Sequence, residues 1–230
     1  TAMLGKWHLA GYPKNFTTSP MHPLECGFDQ HFGTPGSNDV PAPVGKKQTR
    51  DVFDVCDKFT FQVPLIKGRE VIEFPANQEL FTARYTEAAV QWIKAERDQP
   101  FFLYLSHFAV HAPIQGRKDL VEKYREKLSK QPPPTGPTFV LEGNPDDPSP
   151  LTRQQLDELI QQPSHHGYQV LPNRTVKIKQ HQDNIQFAAM VTAMDESLGR
   201  VLDELKAQGI SENTIVIFYS DNGGMSAANF

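Results

Sequence analysis

Near its end the chain runs Ile215-Val216-Ile217-Phe218-Tyr219-Ser220-Asp221-Asn222-Gly223-Gly224, and few folds accommodate that order of residues. Five consecutive β-branched or aromatic residues, bounded by turn formers, predict a strand over 214–220 buried on both faces of a sheet with helices above and below. In open α/β sheets, ligands bind just beyond the carboxyl ends of the strands. Asp221 and Asn222 stand at that position, and their oxygens suit a hard cation such as Ca²⁺ or Mg²⁺. Asp, Asn and Gly are also ordinary turn formers. The stretch by itself therefore leaves a metal site and a plain Asx turn both open.

A chain of 230 residues with 38% hydrophobic content can build a substantial core, as one large domain or two small ones. Its net charge of −4 argues against a general nucleic-acid or anionic-membrane surface. No apolar stretch approaches the ~20 residues that a membrane helix needs. Cys26 and Cys56 are too few for a disulfide framework or a zinc site, and whether they pair is open. Gly5-Lys6-Trp7-His8-Leu9 arrives with no element before it, and the far end stops shortly after Gly224. A strand buried on both faces needs neighbours. The expectation is an internal piece of a longer polypeptide, with any signal peptide lying upstream.

Residues 1–36 read as loops threaded between short strands. Lys6 and His8 are two apart, so on an extended segment they point to the same side, a plausible anion site. A solvated lysine beside a satisfied histidine is the plainer alternative. Residues 37–76 look irregular apart from a hairpin arm at 69–74. Apolar spacing predicts helices over 79–97 and 183–207, and apolar runs predict strands over 101–106 and 214–220. This αβ…αβ alternation is typical of a sheet covered on both faces. On the second long helix, Phe187, Val191, Met194, Leu198, Val201, Leu202 and Leu205 return to one face, and Gly209 caps its end.

The aromatic residues in these elements read as core. Beyond the 101–106 strand lie His107 and His111. If the two strands are parallel neighbours, His111 and Asp221 leave the same edge of the sheet. His107, nearer the strand end, equally suits a buried, hydrogen-bonded role.

A charged helix over 120–128 reads as a solvated face. Seven prolines within 131–150 exclude a central strand or helix interior there. Residues 131–179 therefore read as a Pro-rich excursion from the sheet, with a short helix over 152–161 and a loop holding His165 and His166. Asn15-Phe16-Thr17 and Asn173-Arg174-Thr175 match the N-glycosylation pattern.

Taken in order, Gly5-Lys6-Trp7-His8-Leu9, Pro23-Leu24-Glu25-Cys26-Gly27-Phe28-Asp29, Phe101 to Pro113 and Ser220-Asp221-Asn222-Gly223-Gly224 resemble the sulfatase family, the arylsulfatase branch of the alkaline-phosphatase-like superfamily. The first motif is the most specific. The resemblance implies an α/β, three-layer, alkaline-phosphatase-like sandwich: a mostly parallel sheet with helices on both faces, incomplete at both ends, within one partial catalytic domain over 1–230. It also implies hydrolysis of sulfate esters. Asp221 and Asn222 match the pair that supplies two ligands to a divalent cation, usually Ca²⁺ with Mg²⁺ possible. Lys6 and His8 match the lysine and histidine that hold the sulfate, and His111 matches the histidine near the leaving oxygen.

The chemistry explains those residue types. Sulfuryl transfer places negative charge on non-bridging and leaving oxygens, where fixed cations stabilise it and a histidine can supply a proton. The family's formylglycine nucleophile arises within a C/S-x-P/A-x-R motif, which neither Cys26 nor Cys56 fits. That motif and an Asp pair completing the metal site would precede Thr1, and a further lysine would follow Phe230. The expected partner is a sulfated small molecule or carbohydrate, with aryl sulfates and glycosaminoglycans told apart by 37–76 and 131–179. The expected location is periplasmic, secreted or lysosomal. The alternatives are a phosphodiesterase or phosphonate monoester hydrolase on the same scaffold, or a non-catalytic binding descendant.

Overall fold

A computed structural model describes residues 1–9, 16–35, 63–95, 99–111, 114–137, 139–143, 147–160 and 175–221. Its organising unit is a five-stranded sheet. The strands are β1 (Ala2–Lys6), β2 (Gln30–Thr34), β3 (Leu65–Lys67), β4 (Glu70–Glu73) and, after helix α1 (Phe81–Lys94), β5 (Leu103–Ser106). Their order is β4-β3-β2-β1-β5. β1 lies centrally and runs parallel to β2 and to β5, whereas β2–β3 and β3–β4 are antiparallel. The β3–β4 hairpin contains the arm read at 69–74. The sheet is mixed and mostly parallel at its functional end, as the alkaline-phosphatase-like resemblance implies.

Glycine makes the tight pairing at that end possible. Gly5 stands opposite Gly33 on one side and Ser106 on the other. A Cβ on Gly5 would come within 1.8 Å of the Ser106 carbonyl oxygen, and Gly5 has φ +119°, a conformation that L side chains rarely adopt. The strand therefore needs glycine immediately before Lys6.

Ala2 and Leu4 face the helices, where they pack with Ala89, Trp92 and Ile93 of α1. α1 buries Phe81, Tyr85, Ala89, Val90, Trp92 and Ile93, an i, i+4 stripe that covers β1. Burying each large apolar side chain of this kind contributes ~1.5–3 kcal/mol. Helix α2 (Lys118–Ser129) and helix α4 (Ile185–Ala207) complete this side: α4 lies against α1, and α2 lies against α4. α4 begins at Asn184, whose side chain accepts the Phe187 amide at 3.0 Å. It ends in a Schellman arrangement, with Gly209 at φ +69° and the Ile210 amide donating to the Leu205 carbonyl at 3.0 Å.

The buried stripe of α4 differs from the expected apolar face. Ala189, Met190, Ala193, Ser197, Val201 and Leu205 are buried, whereas Val191 and Leu202 are exposed. Small residues prevail because α4 is held between two other helices at close range. On α2, only Leu120 and Val121 are buried, so most of that charged helix is indeed a solvated face.

The opposite face of the sheet is covered by residues 16–28. Met3, Trp7, Phe16 and Ile66 form a cluster with Phe28 against it, and the Trp7 indole donates to the Met21 carbonyl at 2.7 Å. His22 and His31 are buried here with ring centroids 5.0 Å apart. The His31 pKa is depressed to about 4, chiefly by burial, with an opposing effect of the Gly68 carbonyl near Nδ1.

The described residues of 131–179 form no part of that sheet. They contribute β6 (Phe139–Gly143), helix α3 (Arg153–Ile160) and β7 (Thr175–Lys179), with β6 and β7 forming a separate antiparallel pair. Cys26 is exposed and free. Cys56, Asn15, Asn173, His165, His166 and Asn222 lie outside the described residues.

Two expectations about buried strands need correction. Residues 214–220 join no ladder among the described residues, although Thr214 is extended at φ −126° and ψ 125°. Ile215 is 90% exposed, and Ile217, Phe218 and Tyr219 are likewise on the surface. An apolar run reports a capacity to be buried, and realising it takes strands on both edges and cover on both faces. β5 is the last strand on its side of the sheet, and no described strand flanks 214–220. β5 itself is only partly covered: Tyr104 and the preceding Phe102 are exposed on the face where Phe28 stacks at 6.2–6.4 Å.

Candidate functional site

The carboxyl ends of β1 and β5 are neighbours because Gly5 pairs with Ser106. Each strand therefore delivers its next residues to one corner of the sheet. β1 ends on Lys6, which is half-buried, and β5 continues into His107, Phe108 and the turn to His111. The Phe108 ring, 4% exposed, organises this corner. Lys6 Nζ lies 5.8 Å from its centroid, a cation–π distance. The His111 ring sits 5.6 Å away from the same ring, tilted by 46°. The His111 amide donates to the Phe108 carbonyl at 3.0 Å, which closes the turn.

Beyond His111 the chain is pinned to α4. Ile114 is buried, and the Gly116 amide donates to Gln186 Oε1 at 2.8 Å. A Cβ on Gly116 would meet the Ala189 Cβ at 2.5 Å, so this segment lies directly on the helix.

His8 reaches the surface differently from the expectation of a shared strand side. β1 ends at Lys6, and His8 adopts φ 58° in a tight turn, where strand alternation no longer applies. Its amide donates to the Pro35 carbonyl at 2.9 Å, and its side chain is exposed. The turn follows from Trp7, which is buried and draws the backbone inward between two polar neighbours.

Asp221 is exposed at the end of the unladdered 214–220 segment, so the shared sheet edge expected for His111 and Asp221 is not formed by the described residues. Among them, no group of three or more His, Cys, Asp or Glu is placed to hold a metal ion. Asp221 by itself falls far short of the six or more oxygens that Ca²⁺ takes. The described residues thus do not by themselves make up a metal site.

His107, half-buried, takes the hydrogen-bonded role that its position allows. Its Nε2 lies 3.0 Å from Ser197 Oγ of α4, and Ser197 Oγ lies 2.6 Å from Thr86 Oγ1 of α1. Burial holds the His107 pKa at about 4, so the ring stays neutral at ordinary pH. Sequence reasoning passed over Phe108, Ser197 and Thr86. Ser197 carries a signal in retrospect: a small polar residue on the buried face of an apolar helix needs a partner.

A cleft of about 840 Å³ opens at the opposite end of the strands, lined by Thr1, Gln30, Phe101 and a mixture of charges including Lys67, Arg84, Glu73 and Glu87. Arg84 is already paired with Glu73. Its charges balance, and the cationic, imidazole-bearing corner lies at the other end of the sheet.

A mostly parallel sheet with helices, bearing a lysine and histidines beyond its carboxyl ends, defines an α/β protein with its site at the strand termini. The chain belongs to the Sulfatase family, whose profile matches residues 1–229. It is 29% identical to an uncharacterized sulfatase of Schizosaccharomyces pombe over 97% of this chain and 38% of that protein. It is 25% identical to an arylsulfatase of Klebsiella aerogenes over all of this chain and 46% of the relative. It is 26% identical to the N-acetylgalactosamine-6-sulfatase of Mus musculus, covering 99% and 31% respectively. The chain thus spans less than half the length of these relatives.

Proposed function

We propose that the protein carrying this chain hydrolyses sulfate esters, and that Lys6, His8 and His111 form the part of its anion pocket found here. The observation that carries this reading is the meeting of Lys6 and His111 on Phe108 in a member of the Sulfatase family. A sulfate ester puts charge on its non-bridging oxygens as the ester bond breaks. The Lys6 ammonium, held at the end of a rigid strand, stabilises that charge without having to reorganise. His111, in the turn after β5, would give a proton to the leaving oxygen. His8, exposed in the turn after Lys6, is assigned to the same pocket by its position in the motif.

Asp221 and Asn222 are proposed as two ligands of a divalent cation, with Ca²⁺ the best match to their oxygens. When bound, that ion would act as a Lewis acid on the sulfate oxygens. The nucleophile is proposed to be a formylglycine from another part of the polypeptide, since this chain has no C/S-x-P/A-x-R motif. The 230-residue chain by itself is then inactive. The relatives' names, an arylsulfatase and an N-acetylgalactosamine-6-sulfatase, support sulfated aromatic or carbohydrate substrates as the class.

The test is a comparison of turnover by the complete gene product on an aryl sulfate and on an aryl phosphodiester. Faster sulfate hydrolysis is expected. Preferential phosphodiester hydrolysis would assign the scaffold to its phosphoryl-transfer alternative, and binding without turnover of either would indicate a non-catalytic descendant.

A further inference from the structure

We propose that His107 is a positioning residue, clamping the loop that carries Phe108 and His111 to α1 and α4 through a hydroxyl relay of Ser197 and Thr86. The inference rests on the reading of His111 as a contact to the substrate's leaving oxygen. Its geometry is independent of that reading. Thr86 Oγ1 lies 2.6 Å from the Thr82 carbonyl, Ser197 Oγ lies 2.6 Å from Thr86 Oγ1, and His107 Nε2 lies 3.0 Å from Ser197 Oγ. Thr86 and Ser197 are 2% and 1% exposed, so water does not compete for these bonds.

Proton counting orients the relay. Thr86 Oγ1 is the donor in both of its bonds, sharing its one proton between the Thr82 carbonyl and Ser197 Oγ. Ser197 Oγ thus accepts from Thr86, and it accepts from His107 when the ring carries its proton on Nε2. That tautomer leaves His107 Nδ1, which is buried and without a partner, as a bare acceptor. The other tautomer would strand a buried N–H there, and orphaned buried donors are the rarer case. His107 is thereby fixed as the neutral Nε2–H tautomer. It stands one residue before Phe108 and four before His111, on a stretch whose far side is held by Gly116 on α4. Both ends of the loop are thus anchored to one helix, and the relay is the anchor on the β5 side.

The tests use the complete gene product for both kinetics and spectroscopy. His107→Leu and Ser197→Ala should each lower kcat by about 10- to 100-fold, the scale of a misplaced catalytic group. The loss should be larger for an alkyl sulfate, which needs a proton at its leaving oxygen, than for 4-nitrophenyl sulfate. His107→Gln, whose amide can still donate to Ser197, should recover most of the rate. An equal loss on both esters, or no recovery with Gln, would reduce His107 to a structural residue and overturn the proposal.

Long-range ¹H–¹⁵N histidine spectra provide the second arm. They should show the Nε2–H tautomer for His107, and Ser197→Ala should shift the His107 and His111 ring signals together. Unmoved His111 signals would overturn the proposal whatever the activity. A wild-type protein inert toward all sulfate esters would instead bring down the sulfatase reading, while the spectra still decide the relay.

Discussion

Lys6, His8 and His111 are chemically conspicuous in the sequence, but what places them is not. Gly5 and Phe108 do that work, one by its missing side chain and the other by its buried ring. A Gly5→Ala variant should lose about 3 kcal/mol or more of stability, measurable by urea denaturation, because it combines positive-φ strain with a backbone clash. Histidines held neutral by their surroundings give a second prediction at this scale. His31 and His107 keep pKa values of about 4 in the folded chain, whereas unfolded histidine titrates near 6.5. Their neutral forms are favoured by folding, so this contribution is fully present above pH 6.5 and is lost as pH falls toward 4. Stability should drop by roughly 2 kcal/mol per histidine between pH 7.5 and pH 5. His31→Asn should flatten that slope, and a slope unchanged by the substitution would refute the assignment. Single residues were legible by chemical type, while their burial depended on partners far away in the chain, as Ser197 depends on His107.

Both long helices were legible because apolar periodicity and end signals are local. α1 and α4 lie within the expected ranges, and the Gly209 cap adopts the expected left-handed geometry. Asn184→Ala should cost about 1 kcal/mol in thermal denaturation by removing the cap of α4. Strands were harder, because an apolar run carries no record of its neighbours. The run over 215–219 has the composition of a central strand, yet in this chain it is surface. Its amides should therefore exchange with solvent far faster than those of Ala2–Lys6, and Ile217→Ala should change the stability of the 230-residue chain by less than about 0.5 kcal/mol. Protection of 215–219 equal to that of β1 would contradict its unladdered state. The β6–β7 pair was hidden for the opposite reason: prolines around it masked two short strands that need only each other.

At the scale of the molecule, the parallel β2–β1–β5 core sends three chain segments toward one end, and helices on one side hold them there. The order of motifs along the sequence pointed to this architecture before any single element did, since Gly5–Leu9 and the stretch from Phe101 to His111 run across the carboxyl ends of the paired strands β1 and β5. Of the two proposed metal ligands, Asp221 ends an unladdered segment and Asn222 lies outside the described residues. The proposed role of Lys6 and His111 is to serve one sulfate ester at the shared end of β1 and β5. It is tested most directly by steady-state hydrolysis of 4-nitrophenyl sulfate by the complete gene product, wild type against Lys6→Ala and His111→Ala. Each substitution should lower kcat/KM by about 100-fold or more while thermal stability holds. Wild-type rates in either variant would contradict it.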